Sequence, residues 1–119
     1  MRRFALTAVV LMVAAAPAAA GNLSAAQQEA IKSGVQAMLK DPESARFSAI
    51  SAAPQPTGET IVCGTVNAKN ELGGYAGPAP FYGKLYGDGQ FFLTSLADGV
   101  AEASNVIARC DALGATIDQ

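Results

Sequence analysis

The chain reads as an α+β domain, a small antiparallel sheet of three to four strands flanked by an N-terminal and a C-terminal helix and closed by one disulfide. Three observations predict this. Apolar residues recur at helical spacing near both ends of the chain. Between them, β-branched and aromatic runs alternate with Gly-, Pro- and Asp-Gly-containing breaks. There are two cysteines, Cys63 and Cys110.

The first twenty residues are expected to stand outside that domain. Arg2 and Arg3 precede an apolar run from Phe4 to Ala16, broken only by Thr7, and Ala18-Ala19-Ala20 follows Pro17. This is the three-part pattern of a secretory signal peptide. Cleavage is expected after Ala20, with Ala18 as the alternative. The run is short and Ala-rich against the ~20 strongly apolar residues that a membrane span needs. No cysteine lies nearby for lipid attachment. The expectation is a periplasmic or secreted bacterial protein with no membrane span after signal cleavage, residues 1–20 as signal and 21–119 as one small domain.

Within the domain, Ser24 and Gln27 have the spacing of a capping box, and Ile31, Val35, Met38 and Leu39 form an apolar stripe. A first helix is expected to run to about Lys40. Asp41-Pro42 restarts the chain, with Asp41 suited to a cap and Pro42 to a first helical position. Phe47 and Ile50 suggest a short strand, Pro54 to Gly58 a loop, and Thr60 to Val66 a second strand. Phe81–Gly87 and Gln90–Leu96 flank Asp88-Gly89, the dipeptide of a two-residue type I′ hairpin. That turn pairs Tyr86 with Phe91, Leu85 with Phe92 and Lys84 with Leu93. It places Phe81, Leu85, Phe92 and Leu96 on a core face and Tyr82, Tyr86, Phe91 and Leu93 on the other. The second face is too apolar to stand bare, so a helix or another copy of the chain should cover it. A homo-oligomer through Tyr82, Tyr86 and Phe91 is the form that the second option takes. A last helix is expected from about Asp98, its cap, with Val100, Ala103, Val106, Ile107 and Cys110 inward and fraying after Leu113.

Cys63 and Cys110, 47 positions apart, are most simply a structural disulfide in an exported chain. Neither belongs to a Cys-x-x-Cys unit, and the chain has no histidine. That absence removes Ser-His-Asp and Cys-His nucleophile systems and every His-based metal site, so neither a metal nor a cofactor is expected. Residues 21–119 carry six Lys or Arg against ten Asp or Glu, a net charge of −4, with no basic cluster for nucleic acid. No phosphate-binding glycine loop is present. These features lean away from an enzyme.

Three segments, Leu39-Lys-Asp-Pro-Glu-Ser-Ala-Arg-Phe47, Val62-Cys-Gly-Thr-Val-Asn-Ala-Lys-Asn70 and Gly73-Gly-Tyr-Ala-Gly77 followed by Phe81, resemble a family of small exported bacterial proteins. That family carries the patterns LKDPxSAxF and VCGxVNAKNxxGGYxGxxxF. The resemblance spans residues 39–81 and implies kinship and export, without assigning an activity.

The segment from Cys63 to Gly77 holds the candidate site. Its glycines and asparagines suit a tightly turned backbone, and Gly64 inside a strand suggests a bulge or close contact. Asn67, Lys69, Asn70, Tyr75 and Phe81 are the candidate binding residues, Lys69 and Tyr75 having the fewest structural duties. The expected function is a non-catalytic binding or interaction module of the cell envelope, with a protein or glycan partner. The alternative is a small cell-wall hydrolase, or a modulator of one, using Lys69 or Glu71.

Overall fold

Hydrophobic patterning builds a four-stranded antiparallel meander with a helix on each face. The computed structural model describes residues 23–117, so the expected signal segment and its cleavage positions lie outside the described residues. The order is α1 (Ala25–Gln36), a 3-10 turn (Pro42–Ser44), β1 (Arg46–Pro54), β2 (Thr60–Asn67), β3 (Ala79–Leu85), β4 (Phe91–Leu96) and α2 (Val100–Ala112). Strands neighbour one another in chain order.

Each face of the sheet has its own core. Ile31 and Val35 of α1 pack on Ala52, Val62, Val66, Phe81 and Leu85, with Phe47, Ile50, Phe91, Leu93 and Leu96 around them. On the opposite face, Val106 and Cys110 of α2 meet Ala53, Ile61, Cys63 and Ala97. Strand β2 is therefore buried on both sides, which is why Ile61–Gly64 reads as consecutive apolar residues rather than as an alternation. The Cys63–Cys110 disulfide, with Cα atoms 6.2 Å apart, joins α2 to this central strand.

The α1 N-terminus carries the capping box in full: the Gln27 amide donates to Ser24 Oγ at 3.1 Å, and the Ser24 amide to Gln27 Oε1 at 2.8 Å. The helix stops at Gln36, short of the expected Lys40, and Met38 is exposed rather than inward. Asp41 precedes the 3-10 turn without a side-chain capping bond. Helix α2 is capped by Gly99, not Asp98; the Asp98 amide instead donates to the Glu102 carboxylate at 2.7 Å. Its inward face runs from Ala103 to Cys110, and Val100 is 85% exposed. The chain beyond Leu113 is not frayed: Ala115 and Ile117 are buried, Ala115 donates to the Cys110 carbonyl, and Ser51 Oγ donates to the Thr116 carbonyl. The apolar side chains of Ala115 and Ile117 complete the α2 core, and short-range sequence pattern does not reveal such a return.

One turn design closes all three hairpins. At Gln55–Glu59, Asn70–Gly74 and Tyr86–Gln90, the first residue's amide donates to the fifth residue's carbonyl. The fourth residue's amide donates back to the first residue's carbonyl. The fourth residue is Gly58, Gly73 or Gly89, each at positive φ. This is a three-residue loop, a tight turn followed by a glycine bulge, not the expected two-residue type I′ turn. The extra residue shifts the register: Leu85 pairs with Phe91, Lys84 with Phe92 and Gly83 with Leu93. A one-residue slip exchanges faces. Phe91 therefore enters the α1 core, while Phe92 is 57% exposed and packs edge-on against Tyr86 with centroids 5.7 Å apart. Tyr82 lies under α2. The expected Tyr82, Tyr86 and Phe91 surface thus does not form as a single face.

Candidate functional site

The loop from Asn67 to Gly77 is a short hairpin extending β2 and β3 past the body of the sheet. Its rungs are the Lys69–Tyr75 bridge and the Ala76 amide donating to the Ala68 carbonyl. Both asparagines serve it. Asn67 Oδ1 accepts from the Gly77 amide at 3.1 Å, and Asn70 Oδ1 accepts from the Leu72 and Gly74 amides at 3.0 and 3.2 Å. These side chains replace backbone partners that a five-residue tip lacks.

The 3-10 turn supports the hairpin from the side. Ser44 Oγ donates to the Asp41 carbonyl at 2.8 Å and accepts from the Lys69 amide at 2.8 Å. The Tyr75 hydroxyl donates to the Ser44 carbonyl at 3.1 Å. Ser44, within the first of the quoted segments, thus joins the second and third physically. At the loop base, Phe81 is fully buried, edge-on to Phe47 with centroids 6.1 Å apart. Its ring also fills the space where a Gly64 side chain would stand, a Cβ there lying 3.0 Å from it. Gly64 further faces the bulge at Ala49, which sits at φ 53. Phe81 is thus a core residue with no surface to offer a ligand.

Tyr75 is 37% exposed, and its ring carries two cations: Arg46 Cζ lies 4.1 Å from the centroid and Lys69 Nζ 5.7 Å. Such contacts stabilise by ~0.5–1 kcal/mol each at exposed sites. Arg46 is the residue that sequence reasoning missed. It opposes Asn67 across β1 and β2, a partnership set by strand register 21 positions apart in sequence. Glu71 turns away toward Lys40, at 3.0 Å, with both side chains more than two-thirds exposed.

Lys69 and Asn70 also line a groove of about 580 Å³ between the C-terminal end of α1, the loop and β4. Met38, Leu39 and Lys40 form one wall and Leu93–Asp98 the other, over a floor that includes Val66, Ala68 and Ala79. Tyr75 and Glu71 do not line it, so the four residues around the tip do not converge on one concavity. The bulge of β4, where Thr94 is the extra residue between the Gly83–Leu93 and Tyr82–Ser95 pairs, falls on the groove wall. Among the described residues, no group of three or more His, Cys, Asp or Glu side chains is placed to hold a metal ion. No described helix is long and apolar enough to cross a membrane.

No protein family, curated protein or solved structure matches this chain.

Proposed function

We propose that this is an exported bacterial envelope protein that acts as a non-catalytic interaction module, holding a protein or glycan partner along the Asn67–Gly77 hairpin and the adjoining groove. One observation carries the reading: the polar atoms of the tip are spent holding its shape, while apolar side chains at and beside it stand exposed. Asn67, Asn70, Ser44 and the Tyr75 hydroxyl are engaged internally. Met38, 67% exposed, lines the groove together with Lys69, and Leu72 in the hairpin loop is 94% exposed. A preorganised rim beside a groove of ligand-pocket size loses little conformational entropy on binding. The groove walls bring no two carboxylates together, and Glu71 is drawn toward Lys40; both weigh against the hydrolase alternative. The disulfide suits an oxidising compartment, and the signal-like first twenty residues supply the route.

A photocrosslinking residue at Met38, in the full chain expressed in a bacterial host, tests this. A discrete envelope adduct that Lys69→Ala abolishes, at unchanged Tm, supports the reading. An adduct indifferent to that variant overturns it. So does turnover of peptidoglycan fragments that Glu71→Gln removes.

A further inference from the structure

We propose that Arg46 and Lys69, gathered on the ring of Tyr75, form a binding site for an oxyanion, a carboxylate or a phosphate. The inference names the ligand chemistry of the hairpin and so rests on reading it as a binding element. Both cations approach one ring centroid, at 4.1 and 5.7 Å, and are therefore no more than about 10 Å apart. That is close to one Debye length at physiological salt, so their repulsion is incompletely screened.

Residues 21–119 hold ten carboxylates and six cations, so a cation in this chain has acids to spare. Yet the ion pair found among the described residues joins Lys40 to Glu71, and among those residues no carboxylate lies within ion-pair distance of Arg46 or Lys69. The ring orients the two charges without neutralising them. With its Cζ 4.1 Å from the ring centroid and no carboxylate paired to it among the described residues, the Arg46 guanidinium has a planar fork of N–H donors that matches a carboxylate or phosphate edge.

The platform is fixed before any ligand arrives. The Tyr75 backbone bridges Lys69, and its hydroxyl donates to the Ser44 carbonyl. The Lys69 amide is held by Ser44 Oγ. Arg46 begins β1, paired with Asn67. A bound oxyanion thus supplies the counter-charge that the fold leaves out. Tyr75 acts as a positioning residue rather than as a stacking surface, because the cations occupy its ring.

The test is a titration of full-length mature protein with sodium acetate and, separately, inorganic phosphate at fixed pH and ionic strength, followed by proton–nitrogen NMR. Acetate stands for a peptide or sugar carboxylate and phosphate for a phosphodiester polymer; the tighter arm identifies the source. The expected result is saturable shifts at Arg46 Nε and the Lys69 and Tyr75 amides. These weaken at least about fivefold in Arg46→Gln and in Lys69→Gln. Tyr75→Phe, which keeps the ring, retains binding, whereas Tyr75→Leu weakens it with dispersion of the other amides preserved. Shifts of equal size near Lys32 and Lys84, or shifts that survive in both Gln variants, overturn the site. Saturable anion binding with no envelope adduct from Met38 would retain this site and reject the proposed function alone.

Discussion

The ring of Phe91 lies directly over Gly34, so close that a Cβ on that glycine would stand 2.7 Å from the ring. The same ring leaves no room at Gly83, where a Cβ would lie 2.5 Å from it and equally close to the Phe92 carbonyl oxygen. Phe91 thus fits between a helix and a strand because each gives up a side chain. Gly34→Ala should therefore destabilise the protein by about 1–3 kcal/mol, as overpacking does, although alanine favours an exposed helix by ~1 kcal/mol over glycine. Gly83→Ala should cost more, since a backbone oxygen cannot swing aside. Urea unfolding would measure both; a stabilised Gly34→Ala would refute the packing argument.

Removing the disulfide acts mainly on the unfolded chain. Cys63 and Cys110 close a loop across a separation of 47, for which the chain-entropy model gives about 4 kcal/mol. For a domain of this size that is a large share of total stability. Cys63→Ala with Cys110→Ala should lower the urea midpoint steeply, and reductant should bring wild type toward the same value. An unchanged midpoint would show that the α2 core suffices without the link.

Ser44→Ala should loosen the hairpin without unfolding the domain. It removes the acceptor of the Lys69 amide and the donor to Asp41, for a cost of about 1–3 kcal/mol if the amide stays unpaired. Hydrogen exchange should accelerate at Lys69 while Val62 and Val66 stay protected. Uniform acceleration would mean that the contact is global rather than local.

Glu59 provides a pH signature. The Thr57 hydroxyl, donating at 2.6 Å, is the main cause of its lowered pKa, with its own backbone amide adding to this and Lys84 contributing at longer range. A carboxyl whose folded pKa is depressed contributes stability that is present above its unfolded pKa and is lost as pH falls through the folded value. The contribution is therefore fully present at neutral pH and is lost only as pH falls below the ordinary carboxylate range. Thr57→Val should return the Glu59 titration toward its usual value in a carbon-detected NMR series. No movement would assign the shift to other groups.

Much of the architecture was legible because it is encoded at short range. The capping box of Ser24 and Gln27, the buried run of β2 and the glycine-marked turns depend on neighbours within a few positions. The Cys63–Cys110 pairing followed from there being two cysteines and no others. The Asp88-Gly89 dipeptide marks the hairpin without fixing its turn, since it serves both a two-residue loop and a glycine bulge. That one residue moved Phe91 into the core and Phe92 to the surface.

The candidate site divides in the same way. Asn67, Lys69, Asn70 and Tyr75 stood out by composition, and all four lie on one hairpin. Their separate duties did not: the two asparagines tie the backbone, Phe81 fills the core, and Lys69 rests on Tyr75.

By itself, the sequence determined element types, the covalent link and the exclusion of histidine chemistry, because composition and local backbone preference require no knowledge of distant residues. Only the tertiary structure brought Arg46 over Tyr75 and Ser44 beneath Lys69. Those contacts depend on the register of β1 against β2 and on where the 3-10 turn docks. Burial on the two faces of the sheet selects both, and no local signal in the chain does.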